Sequence, residues 1–327
     1  MKHISILVTP QSNMTCVDLP HRAFMGVNGI LQQQQKEPIF KVELVGLKKE
    51  VKMQNGRFTI HPDCLASSIK KTDLIIIPAF DGDVHQELEQ GKDFVPWIIS
   101  QYKKGAEVSS LCVGTFLLAS TGLLKGKSCS THWRAENIFK KMFPEVELTT
   151  NKVITDEHGI CTSGGALSSA NLVLYLIEKY AGREIALLSS KIFQVDIDRF
   201  SQSPFIIFEG QKDHEDEQIK QAQHYIEENY REKINVEELT SMLALSRRNL
   251  ERRFKKATAN TIVEYMQRVK VEAVKKYLET GRKNVNELMY EVGYNDTKSF
   301  RNIFKKYTGL SPVEYRNKYN KETLVIG

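Results

Sequence analysis

The sequence predicts two successive folds: a doubly wound α/β sandwich with a mostly parallel sheet, then an all-α region with two helix-turn-helix units. Three observations lead there. Over the first 200 residues, short β-branched runs alternate with stretches of helical period, as strands do with the helices that cover them. Over residues 236–318 the strand signal disappears, and one arrangement of apolar and basic residues occurs twice, about fifty residues apart. Charge divides the chain at the same place. Residues 218–327 hold 22 Lys and Arg against 14 Asp and Glu, a net of +8, whereas residues 1–217 carry a net of −2.

Residues 3–9 are a short β-rich run fit for a buried first strand. Residues 19–35 are helical in period, with Phe24, Val27, Ile30 and Leu31 on one face. Residues 41–46 form a strand, and residues 73–77, closed by Pro78, form the clearest one. Residues 94–103 are a helix stopped by Gly105. Residues 107–111 are a strand that turns sharply at Cys112 into a helix over 114–120. Residues 131–141 are helical. Residues 152–155 and 159–162 make a hairpin. Gly164-Gly165 opens a helix over 167–179, and 184–193 is the last of this part. Together these elements compose a three-layer, flavodoxin-like sandwich. The acidic run ending in Asp213-His214-Glu215-Asp216-Glu217 reads as a connector. The expected division is therefore 1–208, a linker over 209–217, and 218–327.

In the first unit of the second part, Val236, Leu239 and Leu243 share a helix face, and Leu245-Ser246 makes a turn. A second helix sends Leu250 and Phe254 inward and Arg247, Arg248, Asn249, Glu251, Arg252 and Arg253 outward. In the second unit Val285, Leu288, Met289 and Val292 build the first helix, and Gly293-Tyr294 makes the turn. Phe300 and Phe304 take the inward places, with Lys298, Arg301, Asn302, Lys305 and Lys306 outward. Ser246 and Asp296 stand where N-caps belong. Ile262, Tyr265, Met266, Val269, Ala273 and Leu278 mark a long connecting helix ended by Gly281. A lysine-rich bundle would explain the charge alone. The repeated inward and outward places point instead to a polyanion, double-stranded DNA.

The same residues carry a resemblance. Leu239, Ser246, Arg248, Leu250, Arg252-Arg253-Phe254, Arg268, Ala273 and Leu278 carry its first half. Val292-Gly293-Tyr294, Ser299-Phe300, Phe304-Lys305, Gly309-Leu310-Ser311-Pro312 and Tyr315-Arg316 carry its second. This third of the chain resembles the DNA-binding domain of AraC/XylS-type regulators. The resemblance implies base reading by Arg248, Glu251 and Arg252 in the first unit and by Thr297, Lys298, Arg301 and Asn302 in the second. Arg247, Asn249, Lys256 and Lys306 complete the expected DNA-binding set, the two lysines as phosphate contacts. It also implies a homodimer and allows RNA polymerase as a partner.

In the first part, Ser109-Ser110-Leu111-Cys112-Val113-Gly114-Thr115 has the outline of a nucleophile elbow, with Cys at the bend and Gly two residues on. A helix N-terminus there would favour the thiolate, and its N–H groups could hold an oxyanion. Thr131-His132-Trp133 follows about twenty residues later and could return His132 to the same pocket. Residues 111–133, with Thr162-Ser163-Gly164-Gly165 ahead of a long helix, resemble the class I glutamine amidotransferase-like superfamily. The branch is the PfpI-type one that holds the intracellular peptidase and the Parkinsonism-associated protein. It includes many fusions to AraC-type domains, so the two resemblances support each other. By that resemblance, catalytic members carry an acidic residue beside the cysteine. Here that place falls to Cys16, with Asp18 two residues on. Val113 stands where peptidase-like members have histidine, and the oxyanion loop reads Pro78-Ala79-Phe80-Asp81-Gly82. The expected ligand pocket is Cys16, Asp18, Ala79, Cys112, Val113 and His132.

Three functions fit these residues. The first is a transcription regulator, not an enzyme, whose α/β part senses a small metabolite, a nitrogen-containing compound or an amide by resemblance. The second is a cysteine-dependent hydrolase or hydratase fused to a DNA-binding domain, with Cys112 as nucleophile and His132 as its partner. The missing acid counts against it. The third is a redox sensor in which oxidation of Cys112 alters DNA binding. Five widely spaced cysteines (Cys16, Cys64, Cys112, Cys129 and Cys161), without a Cys-x-x-Cys pair, suggest neither a disulfide framework nor a zinc knuckle. No cofactor or metal is expected. A length of 327 residues allows two domains or three. No apolar run nears the ~20 residues of a membrane span, and the N-terminal apolar stretch is short for a signal peptide. A cytoplasmic protein without a membrane partner is the expectation.

Overall fold

A computed structural model describes residues 1–197, 201–281 and 283–320, and the chain divides into two compact units, Met1–Gln202 and Ser203–Gly327. The sequence places the end of the first part at 208 and a linker over 209–217. In the structure the chain from Ser203 onward packs as part of the second unit.

The strands of the first unit are β1 (Lys2–Val8), β2 (Phe40–Gly46), β3 (Val51–Met53), β4 (Phe58–Ile60), β5 (Cys64–Leu65), β6 (Leu74–Ile77), β7 (Glu107–Ser110), β8 (Ser128–Cys129), β9 (Glu147–Leu148), β10 (Ile154–Glu157) and β11 (Ile160–Ser163). Seven of them form one sheet in the order β10-β11-β7-β6-β1-β2-β5. Every neighbouring pair in it is parallel except the β10–β11 hairpin. Successive side chains of a strand point to opposite faces. Hence Ile4, Ile6, Leu74 and Ile76 enter one core while Leu7, Ile75 and Ile77 enter the other. Both faces are covered, which is why the middle strands read as unbroken apolar runs.

The helices here are α1 (Met14–Gln33), α2 (Val84–Gly91), α3 (Val95–Lys103), α4 (Thr115–Ser120), α5 (Glu136–Met142), α6 (Ser169–Ala181) and α7 (Arg183–Phe193). Phe24 of α1, Leu172 of α6 and Ala186 of α7 fill one core. Phe116 of α4 and Phe139 of α5 stack edge-on, 5.0 Å apart, in the other. The expected helix over 19–35 begins earlier, at Met14. Asn13 caps it by accepting the Thr15 and Cys16 N–H groups, and Pro20, a residue suited to helix starts, lies inside it. The expected helix over 94–103 is preceded by α2 and a 3-10 turn at Lys92–Phe94.

The second unit contains α8 (Glu217–Glu228), α9 (Val236–Leu243), α10 (Arg247–Thr258), α11 (Ile262–Thr280), α12 (Val285–Glu291), α13 (Thr297–Thr308) and α14 (Pro312–Tyr319). Leu239, Leu250, Phe254 and Tyr265 lie in one core, and Leu288, Phe300, Phe304 and Tyr315 in a second. The connecting helix α11 contributes to both. Helix α8 starts inside the expected linker, with Asp216 as its N-cap.

Candidate functional site

The loops that leave the carboxyl ends of β1, β6 and β7 meet. Asn13 N–H donates to the Ala79 carbonyl at 2.7 Å, Leu111 N–H to that of Ile77 at 2.9 Å, and Cys112 N–H to Ser163 Oγ at 3.4 Å. Cys112 has φ of 54°, a left-handed backbone that costs a side-chain-bearing residue about 1–2 kcal/mol. Gly114 is required two residues on, because a Cβ there would collide with the Pro78 and Ile77 carbonyl oxygens. The hydroxyls of Thr115 and Thr131 donate to the Cys112 carbonyl at 2.9 and 3.0 Å. These bonds hold the elbow in its strained turn.

The thiol at the bend is not poised to react. Cys112 and Cys16 are each 4% exposed. Burial pushes the Cys112 thiol up to about 12, and the nearby Cys16 and Asp81 add to this against a Val113 backbone hydrogen bond. Burial also raises the Cys16 thiol, against hydrogen bonds to the Ala79 backbone and Ser169. Desolvation thus outweighs the ~0.3–1 kcal/mol that a helix end offers a thiolate, and the expectation of a favoured thiolate is corrected.

Cys16, Ala79, Cys112 and Val113 share one apolar cluster. Asp18 and His132 take other partners. Asp18 accepts from Arg22 Nε at 2.5 Å, one helical turn along an exposed face of α1. His132 is the N-cap of the turn Trp133–Ala135, its Nδ1 accepting the Arg134 N–H at 3.1 Å. Burial first, and then the Arg134 charge, lower its pKa. No hydrogen bond joins His132 to Cys112 among the described residues.

Sequence reasoning placed Asp81 in the loop but not in the pocket, and gave Glu87 and Gln202 no role. Asp81 accepts from the Asn13 amide at 2.9 and 3.0 Å and bears on both thiols. Glu87, on α2, is 3% exposed with both carboxylate oxygens 3.0 Å from the Thr9 hydroxyl. Gln202 is 1% exposed. Asn13 was findable, as a capping residue three places before Cys16. The others depend on long-range packing that leaves no local pattern.

In the second unit, Arg248, Glu251, Arg252, Lys256, Lys298, Arg301, Asn302 and Lys306 are exposed, with Asn249 and Thr297 half-buried. Leu250, Phe254, Phe300 and Phe304 are buried beneath them. Ser246 and Asp296 cap α10 and α13 through the Asn249 and Ser299 N–H groups. Three of the arginines expected outward have partners, Arg252 donating to Asn249 Oδ1 at 3.0 Å. Arg247 pairs with Glu237 at 2.8 Å and Glu251 at 3.0 Å. Arg253, expected outward, turns back to Asp216 with two bonds of 2.9 and 2.6 Å and to Gln218 at 2.7 Å. A cavity of about 720 Å³ lies in this unit, lined by Phe208, Glu227, Tyr230, Glu272 and Tyr277 among others.

Comparison with known proteins agrees with both halves of this geometry. The profile of a helix-turn-helix domain matches residues 239–318, and that of the DJ-1/PfpI family matches residues 30–179. The chain is 25% identical over 271 residues to the HTH-type transcriptional regulator GbdR of Pseudomonas aeruginosa, over 79% of this chain and 69% of that protein. It is 25% identical over 216 residues to the HTH-type transcriptional regulator ArgR of the same organism, over 66% of this chain and 65% of that one. Among solved structures, a THiJ/PfpI family protein from Pseudomonas syringae has the similar fold, with a TM-score of 0.50 and 16% identity over 61% of this chain and 76% of that one. No helix among the described residues is long and apolar enough to cross a membrane. The chain thus joins a DJ-1/PfpI-family domain to an AraC-type helix-turn-helix domain, and the relatives it resembles over most of its length are helix-turn-helix transcriptional regulators.

Proposed function

We propose that this regulator reads a two-part DNA site with α10 and α13 and senses a small metabolite at the elbow of its α/β unit. The observation that carries the first half is the pair of capped helices, each buried through two apolar residues and basic on the outer face. Helix α11 joins them and, with 19 residues, is about 28 Å long. That length suits successive major grooves about 34 Å apart. Arg248 and Arg252 offer bidentate contacts to guanine and Asn302 to adenine, while Lys256 and Lys306 suit phosphates.

The second half rests on chemistry at the elbow. A buried thiol raised by desolvation, with no side-chain base or acid hydrogen-bonded to it among the described residues, is a poor nucleophile, whereas an apolar cluster with the exposed Asp81 beside it suits recognition of a small polar molecule. Asp81, an exposed acceptor, favours a nitrogen-containing ligand that donates hydrogen bonds. Because both thiols are packed, binding there requires the elbow to open. A ligand that does so stabilises one state over the other, which is the condition for a shift in DNA affinity.

The test is selection of genomic fragments by the full-length chain at about 150 mM salt, where non-specific binding fades. Enrichment of intergenic sites with paired elements about one helical turn apart is the expected result. Uniform recovery of all fragments would show a basic surface that reads no sequence.

A further inference from the structure

Gln202 is the last residue of the first unit, and its buried amide lies behind the elbow. Its Nε2 donates to the carbonyls of Lys152, Thr150 and Thr131 at 2.9, 3.0 and 3.1 Å, with Ser130 Oγ at 3.2 Å. An amide nitrogen has two hydrogens, so these four acceptors share them. Its Oε1 accepts the Gly165 N–H at 2.9 Å, and its own N–H donates to Asn151. Gly164 gives up its side-chain space to this amide, since a Cβ there would fall on Nε2. Thr131 completes a short path: its carbonyl takes the Gln202 amide, and its hydroxyl donates to the Cys112 carbonyl.

The next residue, Ser203, begins a strap that is stitched along the DNA-binding unit. The Ile206 carbonyl accepts from Lys275 Nζ at 2.6 Å, and Lys275 is 3% exposed. Glu272 takes Lys275 at 2.8 Å and the Phe208 N–H at 3.1 Å. The Phe208 ring lies between Arg268 and Tyr265, at 5.3 and 5.1 Å. Further on, Gln211 Oε1 accepts from Asn260, just past α10, and Asp216 holds Arg253 within it. At the strap's start, the Pro204 carbonyl accepts from Tyr319 of α14 at 3.2 Å. The strap therefore touches the frames of both reading helices. Residues 207–210 of the strap line the cavity of about 720 Å³ together with Glu272 and Tyr277 of α11.

We infer that Gln202 and the strap couple the elbow to the two helix-turn-helix units, so that opening the elbow loosens the Gln202 anchor and changes how the strap holds α11. The inference rests on the regulator reading above. Coupling between two sites is reciprocal, so DNA must act back on the elbow. That permits a test without the metabolite.

The experiment is hydrogen–deuterium exchange of the full-length chain, free and bound to a selected DNA fragment. In the unaltered protein, specific DNA should change exchange at residues 110–115 and 162–165 by about threefold or more, while random DNA of equal length should not. Gln202→Leu keeps the volume and removes the hydrogen bonds. It should bind the fragment within about threefold of the unaltered affinity yet lose the elbow response. Lys275→Met cuts the strap at its other anchor, is independent of the folding of the first unit, and should lose the response as well. A response that persists in both variants, or DNA binding that leaves the elbow of the unaltered protein unchanged, overturns the coupling. A chain that selects no DNA overturns the regulator reading and this inference with it.

Discussion

Glu87 shows what burial does to one carboxyl. Desolvation pushes it up to about 7 from an ordinary 4.5, against the Thr9 hydrogen bond. The folded state therefore holds the proton more tightly than the unfolded chain. The stabilisation is complete below about 4.5 and is lost as pH rises through about 7, an effect of up to about 3 kcal/mol at 1.36 kcal/mol per pH unit. Glu87→Gln should abolish it. Both tryptophans, Trp97 and Trp133, lie in the first unit, so fluorescence-detected urea unfolding reports on that unit alone. The unaltered protein should lose stability between pH 5 and 8 relative to the variant. Parallel losses in the two proteins would place the proton on another group. At this scale the sequence was a partial guide. Cys112 and Gly114 were legible because an elbow has fixed local spacing. His132 was open between two roles in the sequence, because a histidine after a short strand caps a turn as readily as it enters a pocket, and in the structure it caps one.

Among elements, the two reading units repeat more deeply than their helices alone suggest. Thr258 and Thr308 donate to the Phe254 and Phe304 carbonyls, each at 2.8 Å. Thr261 with Glu264 and Ser311 with Glu314 form matching capping boxes. Tyr265 and Tyr315 then stack edge-on against Phe254 and Phe304, and each donates at 2.6 Å to a glutamate, Glu227 or Glu279. This much was visible as apolar spacing and caps. Helix α8 was not, because its acidic start resembles a linker until Asp216 is seen to cap it and to hold Arg253. The two arginines of α10 should therefore respond differently. Arg248→Ala should cost about 1–3 kcal/mol at the selected site and relax one base position, as read by fluorescence anisotropy on single-base variants. Arg253→Ala breaks a partly buried ion pair. It should lower the melting temperature of the second unit while leaving the ranking of base variants unchanged. An altered ranking for Arg253→Ala would mean that this side chain leaves Asp216 to read DNA.

For the whole molecule, the alternation of strands and helices and the division of charge located both folds, and local pattern located neither the boundary nor the strap. A connector is recognised in sequence by what it lacks, and residues 209–216 have polar composition yet several specific partners. The two reading units are also unlike each other. The turn before α10 runs through Ala244 with φ of 51°, and the turn before α13 through Gly293 with φ of 76°. The spacing from the left-handed residue to the N-cap is one residue longer in the second unit, ending at Asp296 rather than Ser246. Their outer faces differ as well, with Arg248, Glu251 and Arg252 on one and Lys298, Arg301 and Asn302 on the other. Inverting one element of a selected site while keeping the other should lower affinity by about tenfold or more, since each mismatched pair costs about 1–3 kcal/mol. Equal binding to both arrangements would mean that the units act interchangeably. If both units read DNA as proposed, two unlike readers fixed in order along one polypeptide make the site of one chain an arrow rather than a palindrome. On that reading a single chain would distinguish left from right, and reversing its site beside a gene would present a different face of the regulator to whatever approaches from the promoter.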